Sequence, residues 1–164
     1  TADTISFHYL KQHGKKAMRK KSMYDCEAMV CLHDTLFLIS KNWMNQAVAV
    51  IYAIPARKGY YKIMPYAYLP ADGLVCDAAL SSDKSMLAVV GYVDYMPFAA
   101  VYRITDSGML KPYKMYDTEF TRYHGLQTEG ITFFGENVLI LSSERNKFFA
   151  NSLYRFSIKG LSSF

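Results

Sequence analysis

The stretch that decides the fold is DCEAMVCLHDTLFLIS, residues 25–40, because the chain repeats its pattern twice more. The other copies are VCDAALSSDKSMLAVVG from residue 75 and TEGITFFGENVLILSS from residue 128. Each copy has an acidic residue, a short apolar segment, a polar turn and a second apolar segment. A period near 50 residues made of short strands is typical of propeller blades. The acids are 50 and 52 residues apart, at Glu27, Asp77 and Glu129.

Three tyrosines support the same repeat. They stand in IYAI, VYRI and LYRF, each 25 residues after the acid of its own copy, at Tyr52, Tyr102 and Tyr154. We therefore predict an all-β fold of β-propeller blades, each a four-stranded antiparallel sheet of about 50 residues. Three such blades would make half of a six-bladed propeller.

We expect residues 1–164 to form one partial propeller with blades at 25–68, 75–116 and 128–158. Within each blade the strands are named A to D, and strand D is predicted at 60–68 and 109–116. Strands A and B are nearly continuous apolar runs, as expected for strands that are covered on both faces.

Two parts of this pattern are incomplete. The third blade has no strand D, and the segment TISFHYL at 4–10 has no blade of its own. This segment is expected to come from another blade, or to complete the last one beside strand 151–158. Because three blades cannot close a ring, the missing blades are expected from an N-terminal segment of a longer protein or from a second copy, as a homodimer.

The order of strands in a blade sorts the loops onto two faces. Connections from D to A and from B to C share one face, and the short A-to-B turns share the other. The B-to-C loops are rich in polar and aromatic residues: SKNWMNQA (40–47), GYVDYMP (91–97) and SERNKFFAN (143–151). Because binding usually resides in long loops on a rigid scaffold, we predict that this face binds a ligand or partner.

The three acids at the starts of strands A have two interpretations. As a group they could hold a cation that prefers oxygen ligands, calcium above all, or could raise a carboxyl pKa for acid–base chemistry. Alternatively, each acid accepts hydrogen bonds from backbone amides of the neighbouring blade. Equivalence by repeat favours this structural role, since a catalytic residue needs to occur only once.

Lys41, Asn42 and Trp43 have no counterpart in the other copies. A tryptophan beside a lysine and an amide could stack on a sugar ring or another flat ligand. Alternatively, the indole fills a gap between blades and Lys41 pairs with Glu27. Single residues on the same face complete the predicted ligand site: Tyr92, Gln127 and Glu144, with Tyr95 and His124 as further candidates.

The charge distribution excludes one class of partner. The net charge is +5, and it arises from one segment, because six basic residues fall within residues 11–21. From residue 22 onward the chain has 13 basic and 13 acidic residues. A nucleic-acid surface would be basic along a face and interleaved with aromatics, so no nucleic-acid partner is predicted. No apolar run approaches the roughly 18 residues of a membrane span.

Several motifs together resemble a known family: DCEAM, LFLISKNW, IYAIP, QTEGITF and the final SSE with LYRF. They are similar to the C-terminal half of uncharacterised secreted or envelope β-propeller proteins of bacteria. The resemblance covers about residues 20–158 and departs at 73–77 and in the lysine-rich segment 11–21. The matching residues are Asp25, Glu27, Lys41, Asn42, Trp43, Gln127, Glu129 and Glu144.

The resemblance implies a six-bladed propeller with further blades on the N-terminal side. It also implies a periplasmic, outer-envelope or extracellular location. It brings no established activity, although distant kin include phytase-like and lactonase-like propellers. We expect non-enzymatic binding of a ligand or partner. One alternative is a calcium-dependent hydrolase of a phosphoester or lactone, in which Glu27, Asp77 and Glu129 hold the cation. Another is a pure protein-interaction scaffold.

Overall fold

The computed structural model describes residues 3–12, 22–106, 108, 110–115 and 123–158. The chain forms two compact units, Thr1–Val75 and Cys76–Phe164, which are described separately. The regular elements in the described residues are β-strands: β1 (Ile5–Tyr9), β2 (Asp25–Leu32), β3 (Thr35–Lys41), β4 (Val48–Pro55), β5 (Gly59–Ile63), β6 (Pro65–Pro70), β7 (Leu74–Leu80), β8 (Met86–Val93), β9 (Met96–Ile104), β10 (Leu110–Met115), β11 (Gln127–Phe133), β12 (Val138–Glu144) and β13 (Ser152–Ser157).

The first unit contains a four-stranded antiparallel sheet in the order β2-β3-β4-β6. Strands β2, β3 and β4 lie side by side in chain order, as the blade pattern predicts, and β6 is the fourth strand. Strands β2 and β3 are joined by a tight polar turn in which His33 has a positive φ of 52°. Most of the run VAVIYAIP of β4 is buried, as expected for a strand that is covered on both faces.

The predicted strand D at 60–68 is wrong in one respect, since two strands occupy this region. Only β6 pairs with β4, whereas β5 pairs in parallel with β1 in a separate two-stranded sheet. Pro65 explains the division, because proline has no amide hydrogen to donate to the ladder and is tolerated at the first position of a strand. Segment 4–10 therefore pairs with β5, and the expected pairing beside strand 151–158 is not observed.

Aromatic side chains hold β1 and β5 against the sheet of the first unit. The Tyr9 ring lies 4.7 Å from the Tyr52 ring and 4.9 Å from the Tyr24 ring, centroid to centroid. Ile63 and Leu38 pack in the same cluster. Burial raises the pKa of both Tyr9 and Tyr52 above the ordinary phenol value, because an ionised phenol would lose its hydration there.

The second unit contains two sheets of the same kind. Strands β7 to β10 form a four-stranded antiparallel sheet, and β11 to β13 form a three-stranded sheet. The pairing of β11 with β12 and of β12 with β13 matches the predicted A, B and C strands of the third copy. The fold class is thus all-β, built of antiparallel sheets of the propeller-blade type.

The two sheets of the second unit share a core. On β8 and β9, small and larger residues alternate across the ladder, because Ala88 pairs with Val101 and Val90 pairs with Ala99. Larger side chains of the third copy pack against this surface. Alanines facing leucines let two sheets approach at the usual spacing of about 10 Å. The partners on the third copy are Ile131, Leu139, Leu141 and Ile158.

The predicted loop at 91–97 is much shorter than expected. Strand β8 runs through Val93, which pairs with Met96, so the connection is the two-residue turn Asp94–Tyr95. Both turn residues have positive φ, 47° and 65°, as in the type I′ turns that suit the twist of hairpins. Tyr92 consequently lies in a strand. The sequence hid this turn because it lacks the glycine that usually follows the aspartate.

Among the residues that the structure describes, no helix has the length and hydrophobicity needed to cross a bilayer. Of the basic segment 11–21, residues 13–21 lie outside the described residues.

Two leucines of the third copy provide a matched test of the core. Leu141 is fully buried, whereas the side chain of Leu153 on the neighbouring strand is 75% exposed. Leu141→Ala is expected to lower the free energy of unfolding by about 2–5 kcal/mol, as cavity-forming substitutions do. Leu153→Ala is expected to change it by less than about 0.5 kcal/mol. Urea denaturation of both variants measures the difference, and equal losses would contradict the described packing of β12 and β13.

Candidate functional site

Three segments of the second unit converge on one side of its sheets. The first is the Asp94–Tyr95 turn between β8 and β9. A bulky residue with positive φ is uncommon, because its Cβ is crowded by the backbone. The side chain of Tyr95 is nevertheless 74% exposed, so that the strained turn presents an aromatic ring to solvent.

The second segment is residues 123–127, which enter β11. Gly125 has a φ of 87°, a conformation that glycine adopts without steric cost. Its amide donates a hydrogen bond of 2.7 Å to the carbonyl oxygen of Tyr95, and the Leu126 amide donates to the carbonyl of Tyr123. Leu126 is buried and anchors this segment, while His124 and Gln127 are exposed on either side of it.

The third segment is the loop between β12 and β13, and Asn146 organises it. The Asn146 side-chain amide donates a hydrogen bond of 2.7 Å to the carbonyl oxygen of Gly125. Its Oδ1 accepts hydrogen bonds from the amides of Phe148 and Phe149, at 2.9 and 3.0 Å. A continuous chain of hydrogen bonds therefore joins the Tyr95 turn, the Gly125 segment and the Phe148 loop.

A pocket of about 590 Å³ lies between these three segments. Its walls are mainly apolar, and a few hydroxyl, amide and basic groups stand among them. This combination is typical of small-molecule sites. The described lining residues are Tyr92, Tyr95, His124, Gly125, Leu126, Gln127, Asn146, Lys147 and Phe148.

Two of the three repeated acids occupy β-bulges. Cys26 pairs with Ser40 and Ala28 with Ile39, which leaves Glu27 as the extra residue of β2. In β11, Thr128 pairs with Ser143 and Gly130 with Ser142, so that Glu129 is the extra residue. A bulge re-aims the side chain and bends the strand, and the repeat reproduces this device in both units.

Asp77 accepts a hydrogen bond from a backbone amide of the neighbouring sheet, which is the structural role considered for the three acids. Its Oδ2 accepts a hydrogen bond of 2.8 Å from the amide of Ile131, which joins β7 to β11 across the two sheets. Nearby, the hydroxyl of buried Thr128 donates to the carbonyl of Gly91 at 3.1 Å. Gly130 keeps the space open, because a Cβ there would lie 2.6 Å from Ser142 Oγ and 3.8 Å from Asp77 Oδ2.

In the first unit, Lys41 and Trp43 are largely engaged by neighbouring side chains. Lys41 is buried, with its Nζ 3.6 Å from Glu27 Oε1 and 6.0 Å from the centre of the Trp43 ring. The indole Nε1 donates a hydrogen bond of 2.9 Å to Asp25 Oδ2, and the indole is half-buried. The sequence offered two roles for these residues, stacking on a ligand or pairing of Lys41 with Glu27. The structure has the pairing of Lys41 with Glu27.

Asn42 holds the β3–β4 loop in shape. Its side-chain amide donates to the carbonyl of Val48 at 2.9 Å, and its Oδ1 accepts from the amides of Met44 and Asn45, each at 3.2 Å. Asn42 is buried. It therefore plays the same part in the first unit that Asn146 plays in the second.

No group of three or more His, Cys, Asp or Glu side chains in the described residues is arranged to hold a metal ion. The donor atoms also have other partners, since Asp77 accepts from Ile131 and Glu129 Oε1 accepts from Gln127 Nε2 at 3.0 Å. Asp77 and Glu129 are thus engaged by protein donors, and calcium binding by Glu27, Asp77 and Glu129 stays a prediction.

The predicted residues therefore divide into separate groups. Tyr92 and Gln127 line the pocket of the second unit, as do Tyr95 and His124. Glu129 orients Gln127, and Glu144 is exposed at the end of β12 opposite Gln127. Sequence reasoning missed Leu126, Asn146, Lys147 and Phe148, although the composition of the loop 143–151 identified the region that contains the last three.

Comparisons with known proteins are sparse. No protein-family model matches the chain, and neither does any curated protein. Its structure is similar to that of an Agrobacterium tumefaciens protein provisionally described as TolB, with 18% sequence identity and a TM-score of 0.44. It is also similar to a Lactobacillus plantarum protein, with 12% identity and a TM-score of 0.46.

Each of these likenesses covers 79% of this chain and 40% of the other chain, so this chain spans two fifths of their length. The assignment of propeller blades therefore rests on the repeats and the sheets themselves.

Substitution of Asp77 separates the structural role from calcium binding. Asp77→Ala removes the acceptor of the Ile131 amide and is expected to lower the free energy of unfolding by about 1–3 kcal/mol. Asp77→Asn keeps an acceptor oxygen and should retain most of the stability. The midpoint of thermal unfolding should be the same with and without about 5 mM Ca²⁺, a concentration that saturates most protein calcium sites. A calcium-dependent rise that both variants abolish would contradict the structural role.

Proposed function

We propose that the protein binds a small ligand in the pocket between the Asp94–Tyr95 turn, the 123–127 segment and the β12–β13 loop. The observation that carries this proposal is the pair of exposed aromatic rings at the pocket. Tyr95 and Phe148 are each 74% exposed, yet hydrogen bonds of their backbones fix where they stand. This is binding at the face that carries the D-to-A and B-to-C loops.

The backbone at Tyr95 is strained by its positive φ of 65°. A bulky residue with positive φ costs free energy of order 1–3 kcal/mol and persists only where its surroundings enforce it. The Gly125 amide supplies part of this enforcement through its hydrogen bond to the Tyr95 carbonyl. Strain of this kind clusters at binding sites, because a prearranged side chain loses less entropy when a ligand arrives.

The chemistry of the walls suggests the shape of the ligand. Aromatic rings at a pocket favour stacking on flat or ring-shaped molecules, and they bury large apolar areas at low entropic cost. Gln127 supplies an amide that Glu129 orients, and Tyr92 and His124 supply further polar atoms. A ring-shaped molecule with polar substituents matches both features.

We also propose a location outside the cytoplasm and a propeller of six blades. The family resemblance supports both. A calcium-dependent hydrolase would need acids grouped as cation ligands, and no observation favours it over binding.

We also propose that further blades or a second copy complete the ring. Within the described residues, β13 is the terminal strand of a three-stranded sheet, while the other two blade-like sheets have four strands. Leu153 on this terminal strand is exposed, and a further strand added beside β13 would complete a four-stranded sheet like the other two.

The binding proposal is tested with ring-shaped probes and two phenylalanine variants. Saturation-transfer NMR should detect phenylacetate, 2-phenylethanol, glucuronate or glucose at the protein. Phe148→Ala should reduce the affinity of any bound probe by about tenfold or more, since stacking on one ring contributes about 1–3 kcal/mol in comparable sites. Phe134→Ala is the control, because Phe134 is similarly exposed, at 67%, but does not line the pocket. Equal effects of the two substitutions, or no binding of any probe, would refute the pocket as the site.

Assembly is tested by sedimentation velocity of the chain at micromolar concentrations. We expect a dimer or a larger closed assembly, because pairing would cover the β13 edge and the apolar surface near it. A chain that sediments as a monomer at about 50 µM, a concentration at which interfaces of standard size are saturated, would rule out ring completion by a second copy.

A further inference from the structure

The polar side of the pocket carries the positive charge of Lys147. Lys147 and His124 both line the pocket and are both exposed, and none of the described lining residues is acidic. The Lys147 Nζ lies 5.6 Å from the centre of the Phe148 ring. The ammonium group therefore lies over the aromatic ring, and both belong to the lining of the pocket.

The acids nearest in sequence do not take this ammonium as a partner in the pocket. The Glu129 carboxylate accepts a hydrogen bond from Gln127, and Glu144 stands at the end of β12, opposite Gln127 in the ladder. Neither of them lines the pocket. A ligand would thus meet a cation and an aromatic ring at the pocket, and none of the described lining residues is a carboxylate.

The spacing of these groups restricts the ligand. Because the Lys147 ammonium lies over the Phe148 ring, a flat molecule that packs against this ring has the ammonium within reach of a substituent at its edge. An ammonium favours an oxyanion there through a charge-assisted hydrogen bond, which is stronger than a neutral one. The fixed backbone of the loop, held by Asn146, keeps the two groups together.

We propose that the ligand of this pocket is a ring-shaped anion, whose ring stacks on Phe148 and Tyr95 and whose negative group contacts Lys147. This proposal rests on the proposed function and specifies its ligand class. An acidic sugar and an aromatic carboxylate share this chemistry, and the experiment distinguishes them.

The test compares two matched pairs of probes by isothermal titration calorimetry. Glucuronate and glucose differ in a carboxylate on a sugar ring, and phenylacetate and 2-phenylethanol differ in a carboxylate beside an aromatic ring. In one pair the anion is expected to bind about tenfold more tightly than its neutral partner, the size of one charge-assisted hydrogen bond. This preference should weaken when the salt concentration rises from 50 to 500 mM, because the Debye length then shortens to roughly 4 Å.

Lys147→Met removes the charge and keeps an unbranched apolar chain, so the variant should bind the two members of that pair equally. Lys62→Met is the control, because Lys62 is exposed on β5 in the first unit and does not line the pocket. It should leave the preference unchanged.

The outcomes separate the two proposals. If anionic and neutral probes bind equally, and Lys147→Met changes neither while Phe148→Ala weakens both, the anionic ligand class is wrong and the binding pocket stands. If Phe148→Ala has no effect on any probe, or if none of the four binds, both proposals fail. Preference for the anion in the sugar pair or in the aromatic pair identifies the source of the ring.

Discussion

The constraint on which this structure depends is that its inner strands are apolar on both faces. In β4 and β9 most residues are buried, as expected for strands whose sheet is covered on either side. In the second unit the cover for one face of β8 and β9 is the third copy of the repeat, whose leucines meet the alanines of that face. Burial of this kind stabilises the fold at about 25 cal/mol per Å² of apolar surface, and it leaves the ends of the sheets as the places where polar loops collect.

Polar contacts then fix how neighbouring sheets are aligned. Apolar packing alone is non-directional, whereas the bonds from the Ile131 amide to Asp77 and from Thr128 to the Gly91 carbonyl each have one partner and one direction. They lie at the start of β11, close to the point where the chain enters the pocket. The alignment of the sheets and the geometry of the pocket therefore depend on the same few residues.

The sequence predicted much of the fold because its signals were periodic. The acid and tyrosine spacings, together with the apolar runs, predicted strands A, B and C of each copy in the order that the structure has. Strand D was misassigned because Pro65 interrupts a run that is otherwise continuous in composition. The turn at Asp94–Tyr95 was mistaken for a loop because a type I′ turn without glycine has no strong local signature.

The candidate site was harder to predict than the fold. Tyr92, Tyr95, His124 and Gln127 could be chosen from their place between strands. Asn146 could not, because its role depends on a hydrogen bond to the carbonyl of Gly125, which lies 21 residues away in the chain. The signal available was weaker: an asparagine followed by lysine and two phenylalanines, in a loop where exposed aromatics need a reason.

The glycine-free turn has a consequence for how this protein could change over time. Substituting Tyr95 by glycine would relieve the strain of a positive φ, and selection for stability alone would move the pair toward Asp-Gly or Asn-Gly. A relaxed turn of that kind would carry no ring. If Tyr95 contacts a ligand as proposed, stability and recognition compete at this single position, and a lineage that lost the ligand would be free to replace Tyr95 while it kept every sheet.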